Sequence, residues 1–217
     1  MAAEEARCKL RRRSGLLPTA GMTREMLFAL ALGYLLGSIP FGLLLTRLAG
    51  KGDIRNIGSG NIGATNVLRT GSKRLAAMTL ILDCLKATAA IVLARILFGF
   101  ETQSFAAAGA FLGHLYPVWL KFRGGKGAAT LLGVLIGLLW PAALIYAAVW
   151  ILLLLTLRIS SLAGMTAAVS APIAAAVLRS SYFPMLLGFA LLVLWKHREN
   201  IARLVAGTEP RIGRAKA

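Results

Sequence analysis

Nine consecutive residues, Phe122 to Thr130, set three glycines around Arg123 and Lys126 between two long apolar runs. Glycine lets a backbone take positive φ and approach a ligand closely. Unpaired amide N–H groups followed by a helix start attract an anion, because helix N-termini carry partial positive charge. Lys126 would add a full charge beside that cradle. The stretch reads in two ways: as an anion site built from Gly124, Gly125 and Lys126, or as a tight basic turn holding two membrane helices at the interface.

Other polar residues favour the first reading. Ser38 and Arg47 accompany a Gly37-Ser38-Ile39-Pro40-Phe41-Gly42 segment, and Asn61 and Asn66 sit in a glycine-rich connection, Gly58 to Asn66. Ser160 and Ser161 follow Arg158, and His197, Asn200 and Glu209 lie near the end of the chain. Arginine and lysine suit phosphate oxygens, the first as a fork and the second as a point charge. Asparagine and serine supply neutral hydrogen bonds that fix orientation. His197 and Glu209 are the evident acid–base candidates near neutral pH. No acidic cluster suggests a metal site, and none of the spacings suggests a haem. The set fits a phosphorylated headgroup that meets a lipid chain. Two further readings stay open. Asp83 and Lys86, three apart in an apolar run, can pair on one helix face or serve a proton or ligand. His114 either packs as a satisfied polar group against Pro117 or orients the glycine loop. The string Gly58-x-Gly60-x-x-Gly63 matches a dinucleotide fingerprint only superficially, because no strand precedes it.

The elements that must position these residues follow from composition. Of 217 residues, 58% are hydrophobic, and the mean hydropathy is +0.73. That is far too apolar for an ordinary soluble domain. Runs at about 26–46, 75–98, 104–121, 128–139, 141–157, 162–178 and 182–196 predict an all-α polytopic membrane protein. It has about seven transmembrane helices, two of them short, with glycine-rich cytoplasmic loops. Trp140-Pro141 supplies the break between the two short helices, and Gly133 and Gly137 give the first of them a small-residue packing face. Placing the connections 47–74, 121–127 and 158–161 and the C-terminal tail on one side gathers sixteen of the 25 cations there. The positive-inside rule makes that side cytoplasmic. The net charge of +17 is then interfacial and suits anionic lipid or substrate rather than nucleic acid. Residues 1–24 read as a basic N-terminal extension, and 25–213 as a single seven-span domain. Cys8 and Cys84 have no metal or redox spacing.

At the level of motifs the chain resembles the bacterial acyl-phosphate:glycerol-3-phosphate acyltransferases. Gly-Ser-Ile-Pro-Phe-Gly (37–42) with Arg47 and Gly-Ser-Gly-Asn-Ile-Gly-Ala-Thr-Asn (58–66) is similar to their first motif. Gly113-His114-x-x-Pro117 with Phe122-x-Gly-Gly-Lys-Gly-x-Ala-Thr looks like the second. His197-Arg198-Glu199-Asn200-Ile201-x-Arg203-Leu204 with Gly207-Thr208-Glu209 looks like the third. The resemblance implies a seven-span inner-membrane enzyme facing the cytoplasm. Such an enzyme transfers a fatty acyl group from acyl phosphate to the 1-hydroxyl of glycerol 3-phosphate, giving lysophosphatidic acid, without a metal or other cofactor. It implies catalytic roles for Ser38, His197, Asn200 and Glu209, with Ser38 also at the phosphate site. It implies phosphate binding by Arg47, Lys126, Gly124, Gly125, Asn61, Asn66, Ser160 and Ser161, and contact with the soluble enzyme that makes acyl phosphate. No Ser-His-Asp arrangement is evident, so direct attack by the substrate hydroxyl is expected rather than an acyl-enzyme. The competing class is a transporter or flippase for phosphorylated anions, which would use the same cationic pocket.

Overall fold

The computed structural model describes residues 22–213, and every regular element among them is helical. Most of the expected N-terminal extension, residues 1–21, lies outside the described residues. Its last residues instead open the first helix: the Thr23 hydroxyl accepts from the Met26 amide and starts α1, Arg24–Gly37. Pro40 cannot donate a helical hydrogen bond, so the run breaks at Ser38–Pro40 and resumes as α2, Phe41–Leu48.

The connection that follows holds a short helix, α3 (Ala64–Leu68), and leads into α4 (Lys73–Phe98), capped by Ser72. At about 1.5 Å per residue, α4 is roughly 39 Å long and outreaches a hydrocarbon core of about 30 Å. α5 (Gln103–Leu115) returns to the side where α2 ended. α6 (Ala128–Leu138) and α7 (Trp140–Leu157) meet at Leu139, with Pro141 in the first turn of α7, where its missing N–H costs nothing. α8 (Ser160–Val177) and α9 (Phe183–Lys196) complete the bundle, and α10 (Arg198–Val205) leaves it. Among the described residues, three segments are long and apolar enough to cross a membrane by themselves: 24–48 across its break, 140–157 and 160–177. The shorter apolar helices 128–138 and 183–196 pack beside them.

Two boundaries differ from the sequence reading. Ser160 and Ser161 are not in the turn after Arg158 but form the first residues of α8, because Arg158 alone absorbs the reversal with φ 57. The run expected to reach 121 ends as a helix at Leu115, ahead of Pro117. His197 separates α9 from α10. Its backbone, φ −99 and ψ 8, is the bend between α9 and α10.

Small residues let the helices approach. α1 and α5 cross so closely that a Cβ on Gly37 would overlap the Ala110 carbonyl, and one on Gly109 the Leu30 carbonyl. The interior beside them is rich in alanine, with Phe111 stacked on Phe189 at 4.3 Å between ring centres. At the end remote from the glycine loop, Arg95 donates to Gln103 Oε1 and to the Gly137 carbonyl, both at 2.5 Å, tying three helices together. The expected small face of α6 packs on α4: a Cβ on Gly133 would strike the Cys84 carbonyl oxygen. Gly133→Ala is therefore expected to cost about 1–3 kcal/mol by overpacking, read as a lower Tm in detergent. Gly188→Ala, where a Cβ meets nothing, is the control, and equal Tm values for the two variants would refute this packing.

Candidate active site

The second half of the chain brings four of the expected residues into direct contact. Lys126, at the end of the glycine loop, donates to Asn200 Oδ1 from α10. The Asn200 amide donates to Glu209 Oε1 at 2.6 Å, and the Ser161 hydroxyl donates to the same oxygen at 2.6 Å. Arg203 Nε donates to Glu209 Oε2 at 2.7 Å. Glu209 reaches this position because the chain reverses after α10 at Gly207, φ 69, and then runs back until the Ile212 amide meets the Arg158 carbonyl at 2.7 Å. One loop, the N-terminus of α8, α10 and the returning tail thus converge at one end of the bundle.

The charges in this cluster are partly withdrawn from water. Burial draws the pKa of Lys126 below the ordinary lysine value, and the neighbouring Arg203 adds to the effect. A phosphate brought beside it would reverse that pressure, since an opposite charge favours the ammonium form. Burial pushes the Glu209 carboxyl up, but hydrogen bonds from Ser161, Asn200 and Arg203 outweigh it and leave it below its ordinary value. Arg69, from the first polar connection, also acts on Lys126 through its charge.

His197 is buried beside the cluster, with Lys126 and Glu209 both acting on it electrostatically. Its Nδ1 lies 2.8 Å from the Val193 carbonyl, which can only accept, so Nδ1 carries the hydrogen and the Nε2 lone pair is open. Burial lowers its pKa to about 4. The chain has only two histidines, so nitrogen NMR resolves this one cleanly. A neutral Nδ1–H tautomer is expected from pH 8 down to about pH 5, and a plain solvent-like titration near 6.5 would refute it. Because the unfolded chain takes up this proton at higher pH than the folded one, the contribution of His197 to stability is complete above about 6.5 and is lost as pH falls through about 4.

The glycine loop itself is shaped differently from a bare amide cradle. The Gly124 amide donates to the Leu115 carbonyl at 3.2 Å and the Gly125 amide to the His114 carbonyl at 3.0 Å. Both N–H groups are engaged within the fold, so these glycines serve close approach rather than presenting free amides. A Cβ on Gly124 would overlap the His114 carbonyl oxygen, and one on Gly125 the His114 imidazole. The amides without a partner among the described residues begin one step later, at Lys126, and run into the first turn of α6. In that turn the Thr130 hydroxyl is fully buried and has no hydrogen-bond partner among the described residues. His114 thus orients the loop, the second of its two sequence readings.

The first half of the chain contributes less directly. Ser38 is buried in the α1–α2 break and donates to the Leu35 carbonyl at 2.9 Å. Arg47 is half-exposed and pairs with Asp53 at 2.7 Å, and Asp53 also holds Arg55 at 2.5 Å. The side-chain hydrogen bond from Arg55 is the main reason the Asp53 carboxyl is held far below its ordinary range. Asn66 is buried, donates to the Ile54 and Ile57 carbonyls at 2.8 and 3.0 Å, and accepts from the Ser59 amide at 3.2 Å. Asn61 accepts from the Gly63 amide at 2.8 Å. These two asparagines hold the connection together from within. Ser160 is partly exposed, and its hydroxyl has no hydrogen-bond partner among the described residues. The sequence assigned no role to Arg69, and none to Arg203 beyond its place in the third motif, although Arg203 stands three residues after Asn200, on the same helix face.

The chain also matches known proteins over nearly its whole length. The glycerol-3-phosphate acyltransferase family profile covers residues 27–207. The glycerol-3-phosphate acyltransferase of Mesorhizobium japonicum is 60% identical over 193 residues, covering 88% of this chain and 98% of the relative. That of Nitrobacter winogradskyi is 58% identical over 188 residues, covering 86% and 96%. Among solved structures, the glycerol 3-phosphate form of PlsY, an integral membrane glycerol 3-phosphate acyltransferase, superposes with a TM-score of 0.81 at 40% identity, over 87% of this chain and 96% of that one. Its lysophosphatidic acid form gives 0.77 at 39% identity, over 87% and 95%. With the helical membrane architecture and the cationic cluster at one end of it, these matches show that the chain belongs to the glycerol-3-phosphate acyltransferase family.

Proposed function

We propose that this protein transfers a fatty acyl group from acyl phosphate to the 1-hydroxyl of glycerol 3-phosphate, releasing lysophosphatidic acid and inorganic phosphate in phospholipid synthesis. The observation that carries the reading is the partly buried Lys126–Asn200–Glu209–Ser161 cluster with Arg203 at its edge. Cations for a phosphate and a carboxylate for hydroxyls stand together, which suits a small polyhydroxy phosphate better than a fatty chain. Relatives over nearly the whole chain carry the glycerol-3-phosphate acyltransferase name, and PlsY has been solved with the acceptor and with the product.

In this reading Lys126 and Arg203 hold the phosphate of glycerol 3-phosphate, with Ser160 and the amides after Gly125 beside it. Glu209, steadied by Ser161 and Asn200, orients the glycerol hydroxyls. The open Nε2 of His197 accepts a hydrogen bond from the attacking 1-hydroxyl. Ser38 and Arg47 flank the approach of the acyl phosphate from the first span, within the connection shaped by Asn61 and Asn66. The hydroxyl oxygen bonds to the acyl carbon, the bond from that carbon to the phosphate oxygen breaks, and the hydroxyl proton leaves with the phosphate. Acyl phosphate is a mixed anhydride with a good leaving group, so positioning and charge stabilisation suffice. The Ser38 hydroxyl donates to a backbone carbonyl, an acceptor that cannot take up its proton, which supports direct transfer over an acyl intermediate on that serine.

The enzyme spans the bacterial inner membrane, with residues 25–213 as one domain and the site facing the cytoplasm, where a soluble acyl-phosphate-forming enzyme delivers the donor. Its sidedness is testable with cysteines placed at Ser72, Gly207 and the exposed Glu101, with Cys8 replaced by serine. The first two should react only from the cytoplasm and the third only from outside. Labelling of Ser72 and Glu101 positions from one side would exclude the orientation. The reaction is tested by supplying purified protein with acyl phosphate and labelled glycerol 3-phosphate. Formation of labelled lysophosphatidic acid is expected, whereas uptake of label into vesicles without consumption of acyl phosphate would instead support the transporter reading.

A further inference from the structure

Beneath the glycine loop lies a charged group that the reaction scheme leaves unused. Asp83 and Lys86 sit in the middle of α4, both almost fully buried. The Lys86 ammonium donates to Asp83 Oδ1 at 2.6 Å, to the Ile39 carbonyl at 2.8 Å and to His114 Nδ1 at 3.0 Å. Three donors meet three acceptors, so the ammonium is saturated. The Ile39 carbonyl belongs to the break between α1 and α2, and His114 belongs to α5, so one nitrogen fixes three elements.

The pair is not explained by stability alone. Removing two charges from water costs about what their attraction returns, and apolar side chains in such places are often as stable. The contacts above it suggest another purpose. Lys86 can only donate, so Nδ1 of His114 accepts and Nε2 carries the hydrogen. That edge of the ring faces Gly125, where even a single Cβ would collide with it. The Gly125 amide in turn holds the His114 carbonyl. The next residue is Lys126.

We infer that Lys86 is a positioning residue: through His114 it supports the Gly124-Gly125 backbone and so sets where the Lys126 ammonium stands in the acceptor site. Asp83 supplies the charge that keeps Lys86 in place. Neither residue touches the substrate. The inference rests on the proposed function, since it assigns Lys126 to the phosphate of glycerol 3-phosphate.

Two variants approach the support differently. Asp83→Asn with Lys86→Met removes both charges together, leaving no unpaired buried ion. His114→Asn keeps an oxygen that can accept from Lys86, but withdraws the ring edge beneath Gly125. For both, KM for glycerol 3-phosphate is expected to rise about tenfold or more, with KM for acyl phosphate and kcat within threefold of wild type. The rise in Tm that glycerol 3-phosphate gives the wild type should shrink or vanish in both. If the double variant fails to accumulate, His114→Asn carries the test. Wild-type KM and thermal shift in His114→Asn overturn the inference, as does a loss in kcat with KM unchanged. A wild type that neither shifts with glycerol 3-phosphate nor acylates it overturns the proposed function instead.

Discussion

Lys126→Ala is expected to lower kcat/KM for glycerol 3-phosphate by about tenfold to a hundredfold while protein yield and membrane insertion stay near normal. The magnitude follows from losing one charge-assisted hydrogen bond of roughly 1.5–3 kcal/mol. Insertion should survive because the glycines that shape the loop remain, and because the basic side keeps its other cations. Lys126→Arg discriminates the two sequence readings of this lysine. A lysine that only marks the interface tolerates arginine, since either cation serves there. A lysine that bonds Asn200 inside a closed cluster does not, because the branched guanidinium needs space that Asn200 and Glu209 occupy. Wild-type kcat/KM in Lys126→Ala at normal expression would remove the phosphate role.

A larger loss is expected from a single methyl group. Gly124→Ala places a Cβ against the backbone carbonyl of His114 and the ring of Pro117, and neither is the movable end of a side chain. The loop must shift as a whole, carrying Lys126 away from Asn200. A misplacement of about 1 Å costs on the order of a hundredfold when catalysis rests on positioning. The expected result is therefore a fall in kcat/KM of about a hundredfold or more, with Tm lowered far less than by Gly133→Ala in the core. Gly99→Ala, at the far end of α4, where a Cβ meets nothing although φ is positive, is the comparison for general backbone strain. Activity of Gly124→Ala equal to that of Gly99→Ala would mean that the loop has slack the geometry denies.

The architecture was legible wherever covalent stereochemistry or hydropathy dictates it. Pro40 and Pro141 broke the helices where their missing N–H requires it, and most apolar runs returned as helices within a few residues of the expected bounds, the run 104–121 ending early at Leu115. The pairing of Asp83 with Lys86 followed from helical spacing. What sequence order could not convey was which polar groups are consumed inside the fold. Asn66 and Asn61 read the same as Asn200 by type, yet two close a loop on itself and one meets Lys126. The same holds for Arg47, whose partner Asp53 lies six residues away across a turn. Arg203 was within reach, since its spacing from Asn200 is that of one helix face. Arg69 was not, because its approach to Lys126 depends on how a separate connection folds over the bundle.

Glu209 follows every described membrane helix, yet it is the residue on which Ser161, Asn200 and Arg203 all close. A chain cut after Val205 would keep each of those helices whole and lose the carboxylate that joins the start of α8 to α10. Shortening the tail therefore separates two things that most truncations damage together, insertion into the bilayer and closure of the polar cluster.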